Sequence, residues 1–390
     1  MRAARPLEAM TDRIYLDYNA SAPLKADVRA AMIEAMDRFG NPSSVHAEGR
    51  AARALIETAR AKIAALAGCR PEEVIFTSGG SEANALALAA QGGSAWQCYL
   101  SAVEHPSVLS GGRFYPESTT RIPVDRDGVV DLDALAKELA KHHLGGWRPF
   151  VSLMAANNET GAIQPVREAA ELVHAAGGLL HSDAVQTPGR VPLDVAALGA
   201  DMVTLSAHKI GGPKGVGALI VREGVAVEPL IKGGGQERRL RAGTENVVGI
   251  AGFGAAAELA LADLDATARV ETLRDRLEAE ALRLVPETAI FSRGVGRLPN
   301  TTCMAVADTK AETLVIGLDL AGVAVSAGSA CSSGKVETSH VLSAMGVAPD
   351  LAQGAIRVSL GIGTNDADIE RFLTIWSEFI GRVREQPQAA

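Results

Sequence analysis

Short apolar runs alternate with helical segments between about residues 70 and 222, and this alternation most limits the possible folds. Stretches of about a dozen residues with helical periodicity separate the apolar runs, and connections of that length join parallel strands. The runs are nearly continuously apolar, which is typical of a sheet covered by helices on both faces. Strands are predicted at 74–77, 97–101, 150–156, 178–183, 201–206 and 215–221, and helices at 81–91, 132–143 and 166–177. The sequence therefore predicts an α/β fold with a mostly parallel sheet.

The chain is long enough for two domains. Of its 390 residues, 47% are hydrophobic and 22% are charged, a composition that can bury a large core. Further helices are predicted at 25–39, 47–67 and, as one long helix, 255–285. The C-terminal part mixes short strands with helices. We predict a large domain over 13–255 and a smaller α+β domain over 256–390, on which the N-terminal segment 1–20 packs.

Charge and cysteine spacing exclude several classes of protein. The net charge is −8 and no basic block occurs, which argues against a nucleic-acid partner. The first twenty residues lack the apolar stretch of a signal peptide, and the longest apolar run, 247–257, is too short to span a bilayer. Four cysteines stand far apart with no CxxC pair. We therefore expect reduced thiols, a cytoplasmic protein without a membrane partner, and no metal site of its own.

Polar side chains follow the predicted strands at the points where the strands end. Asp183, Lys209, Asn158 and His105 each follow a different strand, and Ser81 begins the helix after the first strand. In an open α/β sheet, ligands bind beyond the carboxyl ends of the strands. Taken singly, each residue could also be a helix cap or an ordinary loop side chain. Their convergence at one edge of the sheet predicts a ligand site.

The chemistry of this set indicates pyridoxal 5′-phosphate. Burial lowers the pKa of a lysine amine and makes it a nucleophile, which a Schiff base at Lys209 requires. A carboxylate such as Asp183 suits a cationic ring nitrogen, and His105 suits the ring face. The turn at Gly80 and Ser81 offers a helix N-terminus to a phosphate. Ser206 and His208 flank the lysine, and their side chains can donate further hydrogen bonds to the same phosphate.

Cys331 marks a second chemical centre. It stands in a run of small residues, SAGSACSSGK, which predicts a loop that can carry a thiol to and from a buried site. Such a thiol needs a base, for which His105 or a second loop histidine is the candidate. The alternative is an exposed surface thiol. The other cysteines, Cys69, Cys98 and Cys303, are predicted to be packed and inert.

Two basic regions keep two interpretations each. Arg357 lies in a predicted strand, where its guanidinium would bind a substrate carboxylate or form a salt bridge at the rim of the site. The loop 232–245 reads KGGGQERRLRAGTE and contains Thr244. It is either a solvated charged loop or a phosphate contact, and the sequence does not separate the two.

These features together resemble a known family. The motifs are IYLDYNASAP, FGNPSSVH, VIFTSGGSEANAL, VEHPSV, NNETGAIQP, HSDAVQ, SAHKIGGPKGVGAL, GGGQERRLRAGTENVVGIAG, LPNTT, VSAGSACSSG, SHVLSAMG and AIRVSLG, and they cover nearly the whole chain. The chain is identified as similar to the cysteine desulfurases of iron–sulfur-cluster assembly and nitrogen fixation. These belong to the class V aminotransferases, fold-type-I enzymes that use pyridoxal phosphate.

The resemblance implies roles for individual residues. Lys209 would bind the cofactor covalently, Asp183 would pair with its ring nitrogen, Gln186 would contact its ring hydroxyl, and His105 would stack on the ring. The phosphate would be held by Gly80, Ser81, Ser206 and His208, with Thr244 reaching into the site of the partner subunit in a homodimer. Asn158 would also bind the cofactor, and together with Arg357 it would orient the substrate carboxylate. Cys331 would accept the sulfur.

The implied activity is the removal of sulfur from L-cysteine, which leaves L-alanine and a persulfide on Cys331. A sulfur acceptor protein, such as an iron–sulfur scaffold, would take the sulfur, and Cys331 could transiently contact a cluster bound to that scaffold. The sequence does not identify the acceptor. Within the same family, a selenocysteine lyase or an aminotransferase is the alternative, and a cofactor-binding scaffold without activity is the alternative from another class.

Overall fold

The computed structural model describes residues 13–89, 96–110, 112–142, 147–328 and 338–385. In chain order the strands are β1 (Ile14–Tyr15), β2 (Val74–Thr77), β3 (Trp96–Ser101), β4 (Thr119–Ile122), β5 (Arg148–Ser152), β6 (Leu179–Asp183), β7 (Met202–Ser206), β8 (Gly217–Val221), β9 (Ala289–Ile290), β10 (Thr301–Ala305), β11 (Val323–Ala324), β12 (Ser326–Ala327) and β13 (Ile356–Ser359). The helices are α1 (Ala26–Met36), α2 (Ala47–Ala67), α3 (Gly80–Leu88), α4 (Pro106–Leu109), α5 (Leu132–His142), α6 (Val166–Ala175), α7 (Val195–Leu198), α8 (Val247–Asp263), α9 (Thr267–Leu284), α10 (Ala311–Leu320), α11 (His340–Ala344), α12 (Pro349–Ala352) and α13 (Asp366–Glu385).

Seven strands form the large sheet in the order β2-β8-β7-β6-β5-β3-β4. Strand β8 runs antiparallel to both of its neighbours, and the other pairs are parallel. The prediction of an α/β fold with a mostly parallel sheet is therefore confirmed. The edge strand β4 was absent from the prediction because its TTRI sequence is short and polar, and only Ile122 is buried.

Side chains of the large sheet alternate between two cores. Along β2, Val74 and Phe76 lie in the core beneath α2, α6 and α8, whereas Ile75 lies in the opposite core with side chains of α3. The two-residue period of a strand requires this alternation, and helices cover both sets of apolar side chains. The sheet is thus buried on both faces, and the surface that the helices leave uncovered is formed by the carboxyl ends of the parallel strands.

The long helix predicted over 255–285 is wrong in its extent. Helix α8 begins at Val247 and ends at Asp263, and a short 3₁₀ turn at Leu264–Ala266 separates it from α9. The two helices pack in different cores: Ala257 packs beneath the large sheet, whereas Leu277 packs in a second core that contains Trp376. A straight helix could not follow both surfaces, so the chain bends between them.

The C-terminal part contains a second sheet, ordered β12-β13-β10-β9, and a core around Trp376. The N-terminal strand β1 pairs with β11, and Leu16 lies in the same core. The predicted boundary at residue 255 falls inside α8, and it stays a prediction. The segment from β1 to Asn19 thereby lies beside the ends of β6 and β7, where it contributes to the site described below.

Candidate active site

Asp183 and Asn84 form a buried pair at the carboxyl ends of the strands of the large sheet. Asp183 is the last residue of β6, and its Oδ2 accepts a hydrogen bond from Asn84 Nδ2 of α3 at 2.7 Å. Its Oδ1 accepts from the backbone N–H of Val185 at 3.0 Å. Asn84 is held in turn, since its Nδ2 also donates to Ser107 Oγ at 2.9 Å. The carboxylate therefore has a fixed orientation.

Lys209 lies in a short 3₁₀ turn directly after β7, and its amine contacts Asn19, which follows β1 in the chain. Its Nζ donates to the backbone oxygen of Asn19 at 2.5 Å. The same oxygen accepts a hydrogen bond from Gln186 Nε2 at 3.1 Å. The Asn19 amide donates to the backbone oxygen of Asn158 at 3.1 Å. Asn19 thus joins three of the predicted site residues, Lys209, Gln186 and Asn158.

His105 is the N-cap of the short helix α4 and lies close enough to Asp183 and Lys209 for their charges to act on it. Its Nδ1 accepts a hydrogen bond from the backbone N–H of Ser107 at 3.1 Å. The second ring nitrogen, Nε2, therefore points away from the helix α4 backbone. Burial lowers the pKa of His105, Asp183 opposes that shift, and the positive charge of Lys209 adds to it. The imidazole is therefore neutral near pH 7 and can accept a proton.

A cradle of small residues lies beneath the N-terminus of α3. Gly79 has a φ of 155°, and no atom lies within 4 Å of where its Cβ would be. A Cβ on Gly80 would stand 3.5 Å from the Cβ of Ser206. The Ser206 hydroxyl is buried and has no hydrogen-bond partner among the described residues. Ser81 is the second residue of α3 and is exposed.

His208 is turned toward the N-terminal segment. Its Nδ1 lies 3.3 Å from Ser21 Oγ. Burial, together with the nearby charges of Lys209 and Lys214, lowers the pKa of His208 to about 4. The ring is neutral at physiological pH, so it can contribute a hydrogen bond to an anion but no charge.

Arg357 lies on β13 and is buried, and it forms a salt bridge with the partly buried Asp17. Its Nη1 donates to the backbone oxygen of Asn158 at 3.0 Å, and its Nη2 donates to Asp17 Oδ1 at 2.9 Å. Its Nε has no hydrogen-bond partner among the described residues. The guanidinium is therefore held in place with a donor left over, which suits an arriving carboxylate.

Thr244 and Cys331 differ in what the structure describes. Thr244 is exposed on the 232–245 loop, which returns to the cradle because Arg241 donates to Ser78 Oγ at 2.8 Å. Cys331 lies outside the described residues. The structure describes the chain again from residue 338, and there His340 Nε2 donates to the backbone oxygen of Glu104, the neighbour of His105, at 2.9 Å.

The other cysteines have the properties of packed thiols. Burial raises the pKa of Cys69 to about 12, and Glu73 contributes to the same shift. Burial also raises the pKa of Cys98 and Cys303 well above the ordinary value for a thiol. None of these three would be a thiolate near neutral pH, and only a thiolate attacks sulfur well.

Comparison with known proteins supports one assignment. Residues 14–372 match the family model described as aminotransferase class-V. The chain belongs to the class-V aminotransferase family. A protein of Cereibacter sphaeroides named cysteine desulfurase is 45% identical, and the match covers 96% of this chain and 97% of the relative. The cysteine desulfurase IscS of Dictyoglomus turgidum is 43% identical over 96% of each chain.

A solved structure agrees with these relatives. The NifS-like protein of Rickettsia africae superimposes with a TM-score of 0.87 at 38% identity, covering 95% of this chain and 99% of that one. The predicted resemblance to cysteine desulfurases of the class-V aminotransferase family is confirmed.

Class-V aminotransferases use pyridoxal phosphate, and the residues present fit that group. The buried Ser206 hydroxyl lacks a partner among the described residues beside a glycine turn with open space, as a phosphate site requires. Asp183 supplies a fixed carboxylate and Lys209 supplies an amine.

Two residues of the site were missed by the sequence analysis. Asn19 lies in the N-terminal LDYNA motif, and Asn84 lies inside an otherwise apolar stretch of α3. A buried asparagine in an apolar helix is costly unless it has partners, so Asn84 offered a signal. Nothing local marks Asn19, whose partners Asn158 and Thr301 are far away in the sequence.

Proposed function

We propose that the protein is a cysteine desulfurase that uses pyridoxal phosphate to remove sulfur from L-cysteine. The products would be L-alanine and a persulfide on Cys331. The observation that carries the proposal is the meeting of Lys209, Asp183 and the buried hydroxyl of Ser206 at one edge of the sheet. The names of the relatives support the reaction and its substrate.

The cofactor, when bound, supplies an electron sink that loosens bonds at the substrate carbons. The protein has to hold and protonate the reacting groups. Asp183, oriented by Asn84, would hold a proton on the ring nitrogen. Lys209 would bind the aldehyde and afterwards move the proton of the substrate Cα. Neutral His105 would stack on the ring and take the thiol proton of Cys331.

The phosphate and the substrate carboxylate would occupy opposite ends of the site. Backbone N–H groups at Gly80 and Ser81 would bind the phosphate together with Ser206 and His208. The substrate carboxylate would meet Arg357, whose contact with the Asn158 carbonyl fixes its direction. Asn158 would add its side-chain amide to the same carboxylate.

A homodimer that shares its sites belongs to this proposal. Phe39 and Val45 are apolar yet 86% and 88% exposed, as expected of a surface that a second copy covers. Gln236 Nε2 lies 3.5 Å from Ser43 Oγ, so the 232–245 loop lies beside this surface. Thr244 on that loop would reach the phosphate of the partner subunit.

The sulfur would leave on Cys331 to an acceptor protein, for which an iron–sulfur scaffold is our choice. Any contact of Cys331 with a cluster on that scaffold would be transient, with the cluster as cargo. A cytoplasmic location is part of the proposal, and the free thiols of Cys69, Cys98 and Cys303 support it.

The test combines an absorption spectrum with mass spectrometry. Wild-type protein loaded with pyridoxal phosphate should show a visible band that Lys209→Ala loses. After incubation with L-cysteine, the peptide that contains Cys331 should gain the mass of one sulfur atom, and alanine should accumulate. Cys331→Ser should keep the band and lose the persulfide, whereas the control Cys69→Ser should behave as wild type.

Two results would contradict the proposal. A wild-type protein without a band that depends on Lys209 would exclude the cofactor role. Undiminished turnover by Cys331→Ser would instead favour an aminotransferase, which needs no thiol. A selenocysteine lyase would release selenide from selenocysteine and leave L-cysteine unchanged.

A further inference from the structure

A buried arginine without a carboxylate partner lies directly behind Gln186. Arg190 is only 9% exposed, and no carboxylate of the described residues lies within 4.0 Å of its guanidinium. Its Nη1 donates to the backbone oxygen of Gln186 at 2.8 Å and also to Gln186 Oε1, and its Nη2 donates to the backbone oxygen of Tyr18 at 3.3 Å. A buried charge of this kind is costly, so its presence calls for a physical reason.

The charge persists at neutral pH. Burial, with a further contribution from the positive charge of Arg357, lowers the pKa of Arg190 to about 9. The guanidinium is still protonated near pH 7. Arg190 therefore brings a positive charge into the site region that Asp183 and its partners do not cancel through direct contact.

Arg190 and the Asn19 carbonyl together fix which way the Gln186 amide faces. The two ends of a glutamine amide are similar in shape, but a guanidinium can only donate hydrogen bonds. Gln186 must therefore present its oxygen to Arg190 and its NH₂ group to the other side. There, Nε2 donates to the Asn19 backbone oxygen at 3.1 Å, the same oxygen that accepts from Lys209 Nζ.

We propose that Arg190 is a positioning residue that holds Gln186 with its N–H directed at the ring hydroxyl of the bound cofactor. The inference rests on the proposed function, which places that hydroxyl beside Gln186. A donor aimed at the hydroxyl favours its ionised form, and the hydrogen bond from the guanidinium strengthens the donor by polarising the amide. Without Arg190, only the Asn19 carbonyl would hold the amide in this orientation. An amide that turned would offer its oxygen, which favours the protonated form.

The expected signature is the pH at which the visible band of the bound cofactor changes. Loss of the Arg190 charge and reversal of the Gln186 amide both favour the protonated chromophore, so Arg190→Met should raise the midpoint, by about one pH unit for one such hydrogen bond. Arg190→Lys keeps a donor and a charge and should restore most of the wild-type midpoint. Other titratable or charged groups act on this region and are unchanged in these variants. The charge of Lys209 acts on His105 and His208, Asp183 acts on His105, Lys214 acts on His208, and Arg357 acts on Arg190.

The experiment is a spectroscopic pH titration of protein loaded with pyridoxal phosphate, with a double-mutant cycle on Gln186. If Arg190 acts through Gln186, Arg190→Met should add little to the shift caused by Gln186→Ala alone. Arg148→Met is the control, because Arg148 also donates to a backbone carbonyl, that of Gly177, on the opposite end of the sheet. Thermal denaturation of each cofactor-free variant separates a positioning effect from general loss of structure.

The outcomes distinguish this inference from the proposed function. A raised midpoint for Arg190→Met, recovery by Arg190→Lys and non-additivity with Gln186→Ala would support the role. An unchanged midpoint in a variant that binds the cofactor, or full additivity with Gln186→Ala, would overturn it and leave the proposed function intact. A wild-type protein without a visible band would overturn the proposed function first. Should Arg190→Met fail to fold, Arg190→Gln and Arg190→Lys answer the same question.

Discussion

Two buried arginines each face a carboxylate, but they differ in how many hydrogen bonds they leave unmade. Arg60 on α2 and Glu237 form a bidentate pair with both distances at 2.9 Å, and their side chains are 3% and 2% exposed. Arg60 also donates to the Val74 carbonyl, and Glu237 accepts from the N–H of Phe76. Both partners are fully occupied, as expected of a pair whose role is structural.

Arg357 is buried as deeply, yet its interactions are incomplete. Its carboxylate partner, Asp17, is 17% exposed, and its Nε has no partner among the described residues. The first pair lies where the chain is strained, because Glu237 and the next two residues all have positive φ angles between 41° and 68°. Arg60, whose hydrogen bonds are all made, thus stabilises a strained loop. Arg357, whose Nε lacks a partner among the described residues, can still donate a hydrogen bond to a ligand.

Removing Arg60 should have the largest effect on stability. In Arg60→Met, Glu237 becomes a buried carboxylate without a counter-charge, and we expect the free energy of unfolding to fall by about 3–5 kcal/mol. Urea denaturation followed by circular dichroism measures this. Lys62→Met is the matched control on the same helix, since its pair with Glu258 is exposed at both ends and should be worth less than about 1 kcal/mol. Equal losses in the two variants would contradict the structural role of the pair of Arg60 and Glu237.

The sequence predicted those parts of the site that follow from strand order. Asp183, Lys209 and His105 each follow a strand, and the ends of parallel strands meet at one edge, so the periodicity of the chain was sufficient. The contacts of Asn19 and Arg190 were beyond prediction. Both depend on backbone carbonyls brought near by the folded chain, and a hydrogen bond to a carbonyl leaves no pattern of residue types in the sequence.

The long predicted helix shows a different limit. Residues 255–285 have continuous helical character, so local periodicity contained no stop signal of the usual kind, such as a glycine or proline. The end of α8 at Asp263 is decided by tertiary packing, because α8 and α9 belong to different cores. Element type was therefore predictable there, whereas the boundary was not.

The region around Arg357 should also respond to pH. Glu159 follows Asn158 and is buried, and its Oε2 accepts a hydrogen bond from Ser339 Oγ at 2.5 Å. Burial raises the pKa of Glu159 to about 7, while the Ser339 hydrogen bond and the charge of Arg357 oppose that shift. A carboxyl whose folded pKa lies above its unfolded pKa stabilises the fold at low pH and loses that contribution as pH rises.

We therefore expect Glu159→Gln to flatten the dependence of stability on pH. Between about pH 5 and about pH 8 the wild type should lose on the order of 2 kcal/mol more than the variant, because only the wild type must ionise this carboxyl. Denaturant unfolding at several pH values measures the difference. Glu280→Gln, at an exposed position of α9, serves as the control and should leave the slope unchanged. A wild-type slope in Glu159→Gln would show that this carboxyl is already ionised in the folded protein.

The smallest expected effect separates the two arginines most directly. Arg357→Lys keeps the charge but loses the forked guanidinium, and we expect the KM for L-cysteine to rise about tenfold, the effect of one charge-assisted hydrogen bond, with a smaller change in kcat. Steady-state alanine production measures both constants, with Arg276→Lys on the exposed side of α9 as the control. If Arg357→Lys instead lowers the melting temperature and leaves KM unchanged, then the buried Nε, which lacks a partner among the described residues, binds no substrate. Arg357 would then be structural, like Arg60, because incomplete hydrogen bonding marks a binding site only where a substrate completes it.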